Sequence, residues 1–86
     1  PAPGWDDLLG LALAPAADGT RIVAVTPGSP ADRAGLEPQD VIVRLDTVFG
    51  PSPATTRSIL RAKDRGDYAF LRVRRGADEL AVKIRL

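Results

Sequence analysis

Apolar residues alternate with small or polar ones along most of this chain, the period at which side chains fall on opposite faces of a strand. Leu9, Leu11 and Leu13 alternate in "WDDLLGLALAP", where Gly10 disfavours a helix and Pro15 closes the run. The turn "AADG" leads into "TRIVAV", a short β-branched strand ended by "TPGSP". A short helix "PADRA", a polar bend "GLEPQD" and the strand "VIVRL" follow, the last apolar on both faces as for a strand buried on both sides. "DTVFGPSP" reads as loop. "ATTRSILRAKD" sets Thr56, Ile59, Leu60 and Lys63 at helical spacing and stops at Gly66, which makes it the one helix of real length. "DYAFLRVRR" and "ELAVKIRL" form a hairpin across "RGAD", with Leu80, Val82, Ile84 and Leu86 on one face and Ala81, Lys83 and Arg85 on the other. The sum is a mainly β, α+β domain of about five strands with one short and one longer helix. It is expected as a partly open antiparallel barrel or sandwich closed on one side by helix.

Composition narrows the function. The 86 residues, 44% hydrophobic and 27% charged, suffice for one compact domain with a single small core. No apolar run approaches the roughly 20 residues of a membrane helix. Net charge is +1 with acids and bases interleaved, and only "RVRR", Arg72 to Arg75, is locally basic. With no aromatics interleaved among those arginines, they read as solvated strand ends, and no nucleic-acid partner is expected. The absence of Cys and His removes disulfides, thiolate zinc sites and the commonest general base, so no metal and no cofactor are expected. The chain has no Met and opens "PAPGW" like a cut linker, which divides it into a linker remnant, 1–4, and a domain, 5–86, excised from a longer protein. Ten arginines against two lysines, with abundant alanine, hint at a GC-rich bacterial source.

The serine in "TPGSPADRAGL" tests the enzymatic alternative. A nucleophilic Ser29 needs a base within hydrogen-bond reach; no His exists, and Lys63 and Lys83 lie in other elements. The adjacent pairs Asp6-Asp7 and Asp78-Glu79 point to opposite faces of a strand and do not converge on a substrate. A structural role accounts for every neighbour of Ser29. The serine suits an N-cap, Pro30 the first helical position, Asp32 the positive end of the helix dipole, Gly35 the left-handed residue past the last turn, and Leu36 its hydrophobic contact. No catalytic residue is assigned.

"GSPADRAGLEPQDVIVRLD" resembles the PDZ-domain segment G-S-P-A-x-x-A-G-L-x-x-G-D-x-I, and its surroundings are similar to the circularly permuted bacterial arrangement of the HtrA (Deg) serine proteases, from about Trp5 to Leu86. The resemblance implies a carboxylate-binding loop at Leu8, Leu9, Gly10 and Leu11, and a peptide-pairing strand edge at Leu11, Ala12 and Leu13. It further implies a hydrophobic pocket between Leu9, Leu11 and Leu13 and the helix residues Thr56, Ile59 and Leu60, either Thr56 or Ile59 facing the groove. The partners implied are C-terminal or internal peptide segments, bound without membrane insertion, and neighbouring domains of a periplasmic or other extracytoplasmic parent, either an HtrA-like serine protease or another PDZ-bearing protein such as a carboxy-terminal processing protease, an intramembrane site-2 protease or a secretion-system component. The function implied is non-catalytic peptide recognition by strand addition. The alternative is a docking module for domain or subunit assembly with its groove occluded or vestigial. Two departures carry physical consequences. Gln39 stands where the motif has glycine, so that turn is made without a permissive residue. Asp6 and Asp7 precede the carboxylate loop and weaken anion capture unless Arg21, Arg57 or Arg61 offsets them.

Overall fold

A computed structural model describes the backbone of Trp5 and Asp6 and the whole of residues 9–86. Among these, the chain forms strands β1 (Trp5–Asp6), β2 (Leu11–Ala16), β3 (Gly19–Val25), β4 (Val41–Leu45), β5 (Val48–Phe49), β6 (Tyr68–Arg75) and β7 (Asp78–Arg85). Two helices complete it, α1 (Pro30–Arg33) and α2 (Pro53–Arg61). One antiparallel sheet runs β1-β2-β3-β4-β6-β7, with β5 paired to β4. The described strands leave it open rather than closed into a barrel. Five strands have real length, as the alternation predicts.

Three local readings change. Pro15 does not end β2: it pairs with Thr20 and Ala16 with Gly19, so the turn shrinks to Ala17-Asp18. Proline is tolerated at such a position when its missing N–H would have faced away from the partner strand. The "DTVFGPSP" loop contains β5, which pairs with β4 through Arg44 and Leu45. The long helix starts one residue earlier and ends sooner. Ser52 caps it, its Oγ accepting from the Thr55 N–H at 3.1 Å, Pro53 opens it, and Ala62 is its C-cap.

The core lies under the sheet's inner face and gathers Leu9, Leu11, Leu13, Ile22, Ile42, Leu45, Leu60, Leu71, Val73 and Ile84. A register shift between Ile42 and Arg44 lets Ile42 and Leu45 both reach it, while Val41 is buried as well. A second shift, between Ala12 and Leu13, leaves Val23 as the extra residue of β3. On the sheet's outer face Tyr68 and Phe70 precede Arg72 and Arg74 in phase along β6, and the Arg44 guanidinium lies 4.8 Å from the centre of the Phe49 ring. Each arginine of the run also has an acid partner: Arg72 with Glu79, Arg74 with Asp18, and Arg75 with Glu37 and Asp40.

Candidate functional site

Ser29 is the N-cap of α1. Its backbone is extended at φ −74°, ψ 165°, its Oγ accepts from the Asp32 N–H at 3.2 Å, and the Asp32 carboxylate accepts from the Gly28 N–H at 2.8 Å. Gly35 follows at φ +91°, the Leu36 N–H returns to the Ala31 carbonyl at 3.1 Å, and Leu36 is buried, as expected for such a helix stop.

Its neighbours make this scaffold part of the candidate site. Gly10 sits at φ +76°, and a Cβ built there would lie 2.6 Å from the Ser29 Cβ. The Gly10 carbonyl accepts from the Thr26 N–H at 2.8 Å, and the Leu9 carbonyl from the Ala31 N–H at 3.4 Å. The loop entering β2 is thereby fastened to the N-terminal side of α1, and only glycine fits the contact. Leu8 and Asp7 lie outside the described residues.

Beyond the loop, β2 pairs with β3 along one edge, and α2 packs against both strands. On the other edge, Leu11 pairs with Asp6 and Ala12 with Trp5 of β1. Leu9, Leu11 and Leu13 point into the core, and Thr56 and Leu60 are fully buried beside them, leaving Ile59 half-buried. Thr56 and Ile59 are thus distinguished. The Thr20 hydroxyl donates to the Pro51 carbonyl at 2.7 Å, and its oxygen lies 3.3 Å from the Thr56 hydroxyl, so Thr56 ties α2 to β3 rather than facing solvent. Arg21, one of the arginines named to offset Asp6 and Asp7, donates to the Gln39 side chain at 3.3 Å; the Asp6 side chain lies outside the described residues, as Asp7 does.

The bend behind the site is held by an ion pair between a buried aspartate and a half-exposed arginine that spacing in the sequence does not reveal. Asp40 is 1% exposed and takes a bidentate contact from Arg75, Nε at 2.9 Å and Nη2 at 2.8 Å, and a third bond from the Glu37 N–H at 3.0 Å. Burial pushes the Asp40 carboxyl up, but the Arg75 fork and the Glu37 N–H outweigh it and hold the group below its usual range. Arg75 also donates to the Gly35 carbonyl at 2.9 Å, joining the end of β6 to the stop of α1. The only sequence signal was one of three clustered arginines.

The PDZ-domain family model matches residues 8–86. The chain belongs to the PDZ family. Solved structures with the same fold include the HtrA3 PDZ domain bound to a phage-derived ligand, FGRWV, with TM-score 0.80 and 22% identity over 90% of this chain and 81% of that one. The HtrA-type protease AlgW with a decapeptide gives TM-score 0.80 and 19% identity, over 90% of this PDZ domain and 27% of AlgW. An aminopeptidase N family protein from Idiomarina loihiensis gives 0.79 and 19%, over 90% of this domain and 13% of that protein. No curated protein sequence matches. At these identities the likeness to the solved structures is one of fold.

Proposed function

We propose that this PDZ domain is a non-catalytic peptide-binding module that takes protein C-termini or exposed hydrophobic strands as an added strand on β2, within an extracytoplasmic HtrA-like protease whose substrates it recognises or whose activity it adjusts. The observation carrying this reading is the junction of Gly10 with β2. The Leu9 and Gly10 carbonyls are engaged by Ala31 and Thr26, and in this reading the N–H groups of the same loop receive the anion. The β2 edge then runs from that point beside α2, where a peptide's backbone bonds supply affinity and Ile59 borders its side chains. The HtrA3 domain and AlgW, whose folds this chain shares, are each described with a bound peptide.

An amide chemical-shift titration with a peptide ending in Val-Val-COOH, beside its C-terminally amidated twin, tests the reading. Shifts centred on Leu9 to Leu13 and Ile59 that collapse on amidation support carboxylate capture, with Kd in the range of about 1 μM to 1 mM for one added strand. No shifts at millimolar peptide would sink it. The second reading, a docking module with an occluded groove, is favoured by the pairing of β1 with Leu11 and Ala12. Cross-linking of the parent oligomer through β2 and α2 tests that reading.

A further inference from the structure

We infer that Trp5–Asp6 is an internal competitor: the chain's own β1 occupies the loop end of the peptide-binding edge and must leave before a peptide can take that edge. The inference rests on the peptide-binding reading above and adds the regulation of that same site.

Position is the first argument. β2 has two edges, and β3 occupies one of them along the strand's whole length. β1 pairs antiparallel on the other, with Asp6 opposite Leu11 and Trp5 opposite Ala12. A backbone group already bonded across a ladder is unavailable to a third strand. Two of the three residues assigned to pair with a ligand, Leu11 and Ala12, are therefore covered, and Leu13 is the one that β1 leaves.

Direction is the second. A peptide whose terminal carboxylate rests at Leu9, Gly10 and Leu11 and whose body lies antiparallel on β2 must place its last residue near Leu11 and its penultimate residue near Ala12. β1 runs the same way and fills those two positions with Asp6 and Trp5. The HtrA3 ligand FGRWV carries tryptophan in its penultimate position and valine at its end. The internal strand has the aromatic in the corresponding place, with aspartate where that ligand has its final valine. It also continues into residue 7, so its last paired residue has no α-carboxylate to give the loop.

Energy decides what such a strand can do. Two residue pairs are a weak hold alone, but a tether of four residues between β1 and β2 makes the closing step intramolecular, with an effective concentration on the order of millimolar. That matches the weak end of the affinity expected for a single added strand. A peptide supplying both a longer strand and a true carboxylate displaces β1, whereas a short or internal segment competes with it on poorer terms. Apparent affinity falls by the fraction of molecules in which the edge is open, so an edge closed in about nine molecules of ten weakens binding about tenfold.

The experiment compares the full chain with a variant carrying Trp5→Pro and Asp6→Pro, which removes both strand N–H groups from β1. Titration calorimetry with FGRWV and its amidated twin measures affinity. Amide hydrogen exchange in the absence of peptide follows whichever of the Leu11 and Ala12 amides faces away from β3, with Ile22 and Val73 as controls for an intact fold. The expected result is about 3- to 10-fold tighter FGRWV binding in the variant, with faster exchange at that edge amide and unchanged protection at Ile22 and Val73. Equal affinity in the two proteins, or tighter binding by the parent, overturns the competitor while leaving peptide capture intact. An edge amide that exchanges equally fast in both proteins also overturns it, whatever the peptide does. Failure of either protein to bind FGRWV, with the edge amide still protected only in the parent, removes peptide capture instead and leaves β1 as a permanent edge cover, which is not a competitor.

Discussion

At Gln39 the backbone stands at φ +77°, in the left-handed region that a side chain makes costly. The turn has not changed shape to suit the residue; the residue has taken the conformation that the family motif gives to glycine. Its N–H donates to the Ile22 carbonyl at 2.7 Å, and the Ile22 N–H donates to the Asp40 carbonyl at 2.7 Å, so β3 fixes the bend. Gln39→Gly should therefore stabilise the domain by about 0.5 kcal/mol, the relief of the left-handed penalty less the extra backbone entropy of glycine. Chemical denaturation reads this as a higher midpoint at constant slope, and an unchanged or lower midpoint refutes it. Gly10→Ala has the opposite sign. It adds the left-handed penalty to a Cβ held 2.6 Å from that of Ser29, and about 2 to 4 kcal/mol should be lost. Pairing it with Ser29→Gly should return the part due to the clash, since the cap costs only a few tenths when serine gives way to glycine. A double variant no more stable than Gly10→Ala alone would place the whole cost in the backbone.

At the scale of elements, alternation and capping made β2, β3, β6, β7 and both helices legible, because each is a local property. Ser29, Pro30, Gly35 and Leu36 stood in the order their helix requires, and the structure uses them so. What stayed hidden was set by partners distant in sequence. Pro15 reads as a stop until the edge it occupies is known, and β5 is too short to carry a period. Thr56 could not be separated from Ile59 because the hydroxyl that claims it, on Thr20, lies 36 residues away. That contact predicts an asymmetry. Thr20→Val strands the Pro51 carbonyl and the Thr56 hydroxyl together and should cost about 2 kcal/mol, whereas Thr56→Val leaves the bond from Thr20 to Pro51 intact and should cost less than about 1. Equal losses would show that the two hydroxyls act as one unit. The Asp40–Arg75 pair, 35 residues apart, was equally invisible and predicts an acid limb. Asp40 titrates lower folded than unfolded, so its contribution is complete above the unfolded value of about 3.9 and disappears as pH falls through the folded one. Asp46, raised by burial but lowered further by Lys63 and the Phe70 N–H, adds to the same limb. Arg75→Met should destabilise the domain at neutral pH by leaving the buried Asp40 carboxylate without its counter-ion, and its stability should fall less steeply below pH 4 than that of the parent. Parallel acid limbs would place the titration elsewhere.

For the whole molecule, the consequential feature is that the sheet is open and that β1 lies on the β2 edge proposed for the ligand. Gly10 and the alternating leucines mark the proposed site in the sequence, but the pairing of β1 across it has no such mark, because Trp5 and Asp6 have no strand pattern of their own. Stability and binding are therefore coupled. In the parent, a bound peptide replaces contacts that β1 already makes, and the net gain is the difference between the two. In the chain carrying Trp5→Pro and Asp6→Pro the edge begins bare, and the peptide's full free energy appears as added stability. At a ligand concentration of about ten times Kd, that is about 1.4 kcal/mol. For a domain of this size it corresponds to a rise in Tm of about 6 to 11 °C. Thermal melts with saturating FGRWV should thus show the larger rise in the variant, although it is the less stable protein without peptide, while the amidated peptide should narrow the difference by weakening both. Equal rises in the two proteins at the same peptide concentration would mean that β1 and the peptide do not contend for one edge, and the coupling between fold and function would have to lie in the loop at Gly10 alone.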